Sequence, residues 1–252
     1  MIALPAALPP LAPRAIIGHH RVMLFRFVSL AAAIFLFGTA SFAGAQDVPS
    51  GAHGPTAPSR MVRVAMVTAL GTITLDLDAG RAPVTTANFL RYADEKRFDG
   101  TVFYRVMRLE WGEQPNGLIQ GGTRGIPQRI LPPIAHEPTE VTGISHKAGT
   151  ISMARFAPGT ATGDFSILLS DIPGLDASPG APDADSAAGF AAFGHVVDGM
   201  DVVARIFDAP ISPTEGEGFL KGQMIENPVK ILTVRRVGMP PRANDAQSPA
   251  PD

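Results

Sequence analysis

No cysteine occurs among the 252 residues. Disulfides are therefore excluded as a source of stability, even in an oxidising compartment where they would be available. Any fold must stand on its hydrophobic core. Charge is nearly balanced, with a formal net of −2, so no broad basic surface points to nucleic acid. The main apolar run, residues 27–42, falls short of the roughly 20 residues of a membrane-spanning helix and is diluted by Ser29, Thr39 and Ser41. No repeat recurs at a fixed period. A Gly-x-Ser-x-Gly elbow is missing, so Ser166, His195 and the aspartates do not read as a hydrolase triad. His136, Glu137 and His146 fit no strong metal-ligand spacing and read as solvated loop residues. Neither metal nor cofactor is expected.

What is present at the ends is instructive. Met23-Leu24-Phe25-Arg26 gives a positive start, an apolar run follows, and Ala43-Gly44-Ala45 fits a small-x-small cleavage site. Residues 1–45 thus read as a secretory signal peptide, cleaved before Gln46. The normal-looking start at Met23 predicts that translation begins there, which N-terminal sequencing of the precursor tests. No stable membrane span is expected after cleavage, and the location expected for the exported protein is the periplasm. Residues 46–60 are rich in Gly, Pro, Ser and Ala and read as a flexible linker. Residues 239–252 hold four prolines and read as a disordered tail. Residues 61–238 remain, enough for one domain with a substantial core.

Within that domain, Thr72-Ile73-Thr74-Leu75-Asp76-Leu77 alternates with period two, as do Val62, Val64 and Met66, with Gly71 between them. Together they predict an antiparallel hairpin. Pro83 opens a helix in which Val84, Ala87, Leu90 and Ala93 share a face, ending near Asp94. Strands are expected over residues 101–107, 150–154, 165–169, 193–197 and 229–237, and loops over 158–163 and 172–189. Asp198 is the expected cap of a second helix carrying Met200, Val203 and Ile206. Many short strands, long loops and two helices imply a mainly β fold, a closed barrel or sandwich.

Four words stand in order along this domain. They are Ala82-Pro83-x-Thr85-x-Ala87-Asn88-Phe89-Leu90, Phe98-Asp99-Gly100-Thr101-x-Phe103-x-Arg105-Val106, Ile119-Gln120-Gly121-Gly122, and Phe193-Gly194-x-Val196-x-x-Gly199-Met200. With Gly149-Thr150-Ile151-Ser152-Met153-Ala154, they resemble the cyclophilin family of peptidyl-prolyl cis-trans isomerases, from about Val62 to Val237. The resemblance implies a closed eight-stranded antiparallel β-barrel capped by two α-helices. It also implies isomerisation of X-Pro bonds in proline-containing polypeptides, here exported proteins during folding, by a monomer.

Such a site needs no nucleophile and no metal. It needs an apolar cup for the proline ring and a cationic donor that favours the twisted peptide bond. By resemblance Arg105 is that donor and Gln120 the group that holds the substrate backbone and the arginine. Leu118, Ala154, Phe165, Asp164 and Leu175 are the implied substrate groove, and Asp164 is a candidate partner for Arg105 or Arg155. The chain also departs from the pattern. Gly117 stands where the family has an aromatic residue, Ser166 where it has a second phenylalanine, Gly174 where it has an aromatic before Leu175, and Arg155 where asparagine is common. Phe190 falls nearest the place of a pocket histidine. The donor end is kept and the cup is eroded. Trp111, Phe156 and Phe190 are the candidate replacements. The rival expectation is a catalytically weak peptide-binding or chaperone module of the same fold.

Overall fold

The structure is a computed structural model, and it describes residues 60–238. The expected signal peptide of residues 1–45, the expected linker up to residue 59 and the expected tail of residues 239–252 lie outside the described residues.

The first hairpin follows the alternation. Strands β1 (Met61–Thr68) and β2 (Gly71–Asp78) pair antiparallel from Met61 opposite Asp78 to Thr68 opposite Gly71. At its tip the Thr68 hydroxyl accepts from Leu70 N (3.1 Å) and donates to Gly71 O (2.7 Å), closing the turn locally. Val64, Met66, Ile73, Leu75 and Leu77 all point into the core at 0% exposure, which is the period-two signal made physical.

Helix α1 (Pro83–Asp94) begins at the proline and buries Phe89, Leu90, Tyr92 and Ala93. Its own N-cap, Ala82, has no side-chain oxygen. The Glu137 carboxylate does that work from a distant loop, accepting from Val84 N (3.0 Å) and Thr85 N (2.7 Å). Glu137 is therefore a helix cap rather than a solvated loop residue.

Six further strands complete the sheet: β3 (Val102–Arg108), β4 (Gly117–Gly122), β5 (Thr150–Met153), β6 (Phe165–Leu168), β7 (Ala192–Asp198) and β8 (Met224–Arg236). They form a closed barrel in the order β1-β2-β7-β5-β6-β4-β3-β8, with every pairing antiparallel. Closure leaves no open sheet edge. Inside sits an aromatic cluster: Phe165 meets Phe89, Phe98 and Phe103 with ring centroids 5.5, 5.5 and 5.8 Å apart, each edge to face.

Among the described residues three α-helices accompany α1. Two are short, α2 (Thr139–Thr142) and α3 (Ala184–Ala188), and α4 (Met200–Phe207) is amphipathic. Residues 172–189, expected as loop, thus contain α3, capped by Asp183 accepting from Ser186 N. The α4 boundary also needs a correction. Asp198 is the last residue of β7, and the N-cap is Gly199 at φ 90°, with no side-chain cap. The chain must leave a strand and enter a helix within one residue, and that left-handed step suits glycine.

Candidate active site

Register sets the site. On β3 a bulge lies between Phe103 and Arg105, so that Phe103 stands opposite Gly121 and Arg105 opposite Gln120. The bulge lets Tyr104 and Arg105 face the same side, where strict alternation after inward-facing Phe103 would turn Arg105 inward. Phe103 and Ile119 point into the barrel at 0% exposure, while Arg105 and Gln120 are half-buried on its outer wall. The row continues across the barrel, with Gln120 opposite Ser166 on β6 and Ser166 opposite Ser152 on β5.

The arginine fork is held by two amide oxygens. Arg105 Nη1 donates to Gln120 Oε1 and Nε donates to Gln223 Oε1, both at 2.8 Å. Among the described residues Nη2 makes no hydrogen bond, and it remains as a donor for a ligand. Arginine offers no acceptor, so Gln120 must turn its oxygen to Arg105 and its NH2 away. That NH2 donates to the Tyr104 hydroxyl (2.9 Å), and the hydroxyl donates on to Asp164 Oδ1 (3.4 Å). Asp164 Oδ1 also accepts from Arg124 N (2.9 Å), and the Arg124 Cζ lies over the Tyr104 ring, 5.2 Å from its centroid.

Burial shapes each group. Desolvation lowers the Arg105 guanidinium somewhat, though an arginine so placed keeps its charge. Burial, reinforced by the neighbouring Asp164 carboxylate, pushes the Tyr104 phenol up, so it stays protonated and able to donate. Burial also raises the Asp164 carboxyl above its usual range, against the hydrogen bonds from Arg124 N and Tyr104 that favour its ionised form. Asp164 therefore pairs with neither Arg105 nor Arg155. It is the end of a relay that reaches Arg105 through Tyr104 and Gln120.

The remaining expected groove residues divide. Ala154 is half-buried, and its N–H donates to Asp164 O (2.9 Å), one step beyond the β5–β6 ladder. Leu118 lies two residues before Gln120 on β4, opposite Met107 and Leu168, and is 5% exposed. Leu175 ends the 3-10 turn Pro173–Leu175 and bonds to Ile172 and Phe190; no hydrogen bond among the described residues ties it to Arg105. Phe165 needs a correction: it is 0% exposed within the aromatic cluster, so it is core and not groove, and Ser166 is the outward residue of that strand.

The candidate replacement rings do not gather at Arg105. Phe190 lies under the Arg155 guanidinium, 4.5 Å from its Cζ, and Arg155 is further held by Asp185 (2.7 Å) and Gly189 O (2.6 Å). Trp111 and Phe156 are 69% and 90% exposed. Two residues that sequence reasoning missed do stand at the arginine: Gln223, which accepts from Nε, and Phe219, whose centroid is 5.6 Å from the Arg105 Cζ. His146 is corrected as well. It is 1% exposed, with Nδ1 2.6 Å from Asp176 Oδ1 and Nε2 2.8 Å from Ser152 Oγ. Ser152 is 2% exposed, so this Ser–His–Asp series is sealed from any substrate and acts as an internal tie.

A family profile described as cyclophilin type peptidyl-prolyl cis-trans isomerase/CLD matches residues 63–236, well over half of the chain. The chain belongs to this family. Among its relatives is a peptidyl-prolyl cis-trans isomerase of Acinetobacter baylyi, 36% identical over 176 residues, covering 68% of this chain and 84% of the relative. Peptidyl-prolyl cis-trans isomerase B of Escherichia coli is 36% identical over 141 residues, covering 54% of this chain and 78% of the relative. The fold is similar to that of a Cryptosporidium parvum cyclophilin-type isomerase crystallised in the presence of the dipeptide Ala-Pro. That structure superposes with a TM-score of 0.55 at 18% identity, over 70% of this chain and 99% of the other. The cyclophilin barrel expected from the four sequence words is thus the fold found.

Proposed function

We infer that this cyclophilin catalyses cis–trans isomerisation of X-Pro peptide bonds in polypeptides, with Arg105 as the donor that acts on the bond. The observation that carries this reading is the Arg105 fork, fixed through Nη1 and Nε and with Nη2 unengaged among the described residues. The barrier to be lowered is the resonance of the prolyl amide, about 20 kcal/mol. In the twisted state the nitrogen becomes pyramidal and its lone pair can accept a hydrogen bond, which the planar amide cannot do. A donor that is fixed in advance stabilises the twisted state over both planar ones, and that difference is the catalysis. Gln120 holds the guanidinium and offers the substrate backbone an amide. Ala154 and Leu118 line the approach, and Leu175 borders it.

The test is an isomerase assay on a short X-Pro peptide with Arg105→Ala. Removing one preorganised donor lowers kcat/KM by about 10² to 10³. A variant as active as the parent rejects the role.

The protein acts outside the cytoplasm in this reading, on exported chains as they fold. Support comes from the positive start at Met23, the apolar run and the Ala43-Gly44-Ala45 site. Among the described residues no helix is long and apolar enough to cross a membrane. Cell fractionation with N-terminal sequencing is expected to find a mature form beginning at Gln46 in the periplasmic fraction; an intact N-terminus in the cytoplasm rejects it. One chain carries Arg105, Gln120, Tyr104 and Asp164 together, which supports action as a monomer, and sedimentation checks it.

A further inference from the structure

We propose that Phe219 is the apolar wall of the proline site in this chain and takes over the work of the ring missing at Ser166. The inference rests on the Arg105 reading above and extends it to the residue that holds the substrate. Phe219 is 71% exposed, as single apolar residues on a surface often are. Its ring nevertheless has a fixed neighbour: the Arg105 Cζ lies over it, 5.6 Å from the centroid, within cation–π range. The pyrrolidine ring of a substrate carries the nitrogen that Arg105 must reach. An aromatic face beside the guanidinium is therefore placed to cover that ring.

The loop that delivers Phe219 is tied to the same arginine. Phe219 sits in the 3-10 turn Gly218–Leu220, and four residues later Gln223 accepts from Arg105 Nε (2.8 Å). Gln223 N in turn bonds Leu220 O (3.1 Å), and Val106 N bonds Gln223 O (2.8 Å), which fastens the loop to β3 beside Arg105. Gly216 has φ +94°, and a Cβ there would stand 2.4 Å from Leu220 O. The loop is thus built around glycine at that point, and its end is pinned to the strand that carries the donor.

Among the described residues no other ring lies under the Arg105 guanidinium. Ser166 opposite Gln120 is a hydroxymethyl group, Phe165 is in the core, and Phe190 is occupied by Arg155. An exposed ring on a covering loop also fits an extended polypeptide better than a closed cavity would, because chain enters and leaves on both sides of the proline.

Steady-state kinetics on an X-Pro peptide of Phe219→Ala, Phe219→Trp and Arg105→Ala test this in the full-length protein. Burial of most of one aromatic ring predicts that Phe219→Ala raises KM by about tenfold with kcat little changed, and that Phe219→Trp stays near the parent. Intermolecular NOEs between the Phe219 ring and the proline of the bound peptide are expected. Because the ring is exposed, Phe219→Ala should melt as the parent does, and circular dichroism checks this. Unchanged kinetics in Phe219→Ala, or a fall in kcat alone with no loss of peptide affinity, overturns the proposal while Arg105 stands. Full activity in Arg105→Ala overturns the site reading beneath it, and the proposal with it.

Discussion

Tyr104 and Asp164 act on Arg105 through Gln120 and do not touch the substrate in this account. Gln120 can turn its oxygen to the guanidinium only if its NH2 has somewhere to go, and the Tyr104 hydroxyl is that place. Tyr104→Phe removes an acceptor worth about 1 kcal/mol, so isomerase activity is expected to fall a few-fold. An unchanged kcat/KM with the fold intact contradicts the relay. Asp164 adds a dependence on pH. Its folded pKa is raised, so between the unfolded value near 3.8 and that raised value the folded state binds more protons. Stability therefore declines as pH rises through this window and is level above it. Asp164→Asn is expected to flatten that slope in melting curves; an unaltered slope assigns the effect elsewhere. Arg105 and Gln120 were legible in the sequence because each lies inside a distinctive word. Tyr104 was hidden by alternation: a strand without the bulge would aim it away from Arg105. Gln223 and Phe219 were hidden by distance, since 118 residues separate Gln223 from Arg105. The visible signal was a lone ring in the run Gly216-Glu217-Gly218-Phe219, where nothing nearby could bury it.

The elements show where sequence periodicity is sufficient and where it is not. The β1–β2 hairpin and the bounds of α1 fall where expected because each has its own start and stop signals. The α1 face is corrected: Val84 and Ala87 are exposed, and Thr85, Phe89 and Tyr92 are buried with Leu90 and Ala93. The α4 cap was misplaced because Asp198 has the side chain of a cap, whereas pairing with Thr74 keeps it in the strand. Gly117 is the most consequential local departure. It opens β4 at φ +143°, and a Cβ there would lie 2.0 Å from Met107 O. The aromatic that the family places here cannot simply be restored on this backbone. Gly117→Ala is expected to destabilise the protein by about 1–3 kcal/mol, read as a lower melting temperature. A variant that melts with the parent shows that the loop before β4 relaxes freely.

The barrel as a whole is also fastened by a tie that takes no part in the Arg105 relay. Fully buried His146 joins the loop carrying Asp176 to Ser152 on β5 (2.6 and 2.8 Å). Desolvation lowers its pKa despite the nearby Asp176 carboxylate. The unfolded chain protonates near 6.5 while the folded one resists, so the unfolded state binds more protons below that value. Stability is complete above about pH 6.5 and falls on acidification until the lowered pKa is passed. His146→Gln is expected to flatten this acid slope in thermal melts taken from about pH 7 to about pH 5, and a slope identical to that of the parent contradicts it. The closed barrel was legible from the strand count and the four words. The tie was not, because His146 reads as one polar residue in a polar stretch until β5 is folded against it.

The central claim is that Arg105 performs isomerisation at a site with Ser166 rather than an aromatic ring opposite Gln120. The most direct measurement is the rate of cis–trans exchange of an X-Pro peptide with the parent protein and with Arg105→Ala. The account predicts acceleration well above the spontaneous rate with the parent, and its loss by about 10² or more in the variant. Equal acceleration by both folded proteins, or none by either, contradicts it.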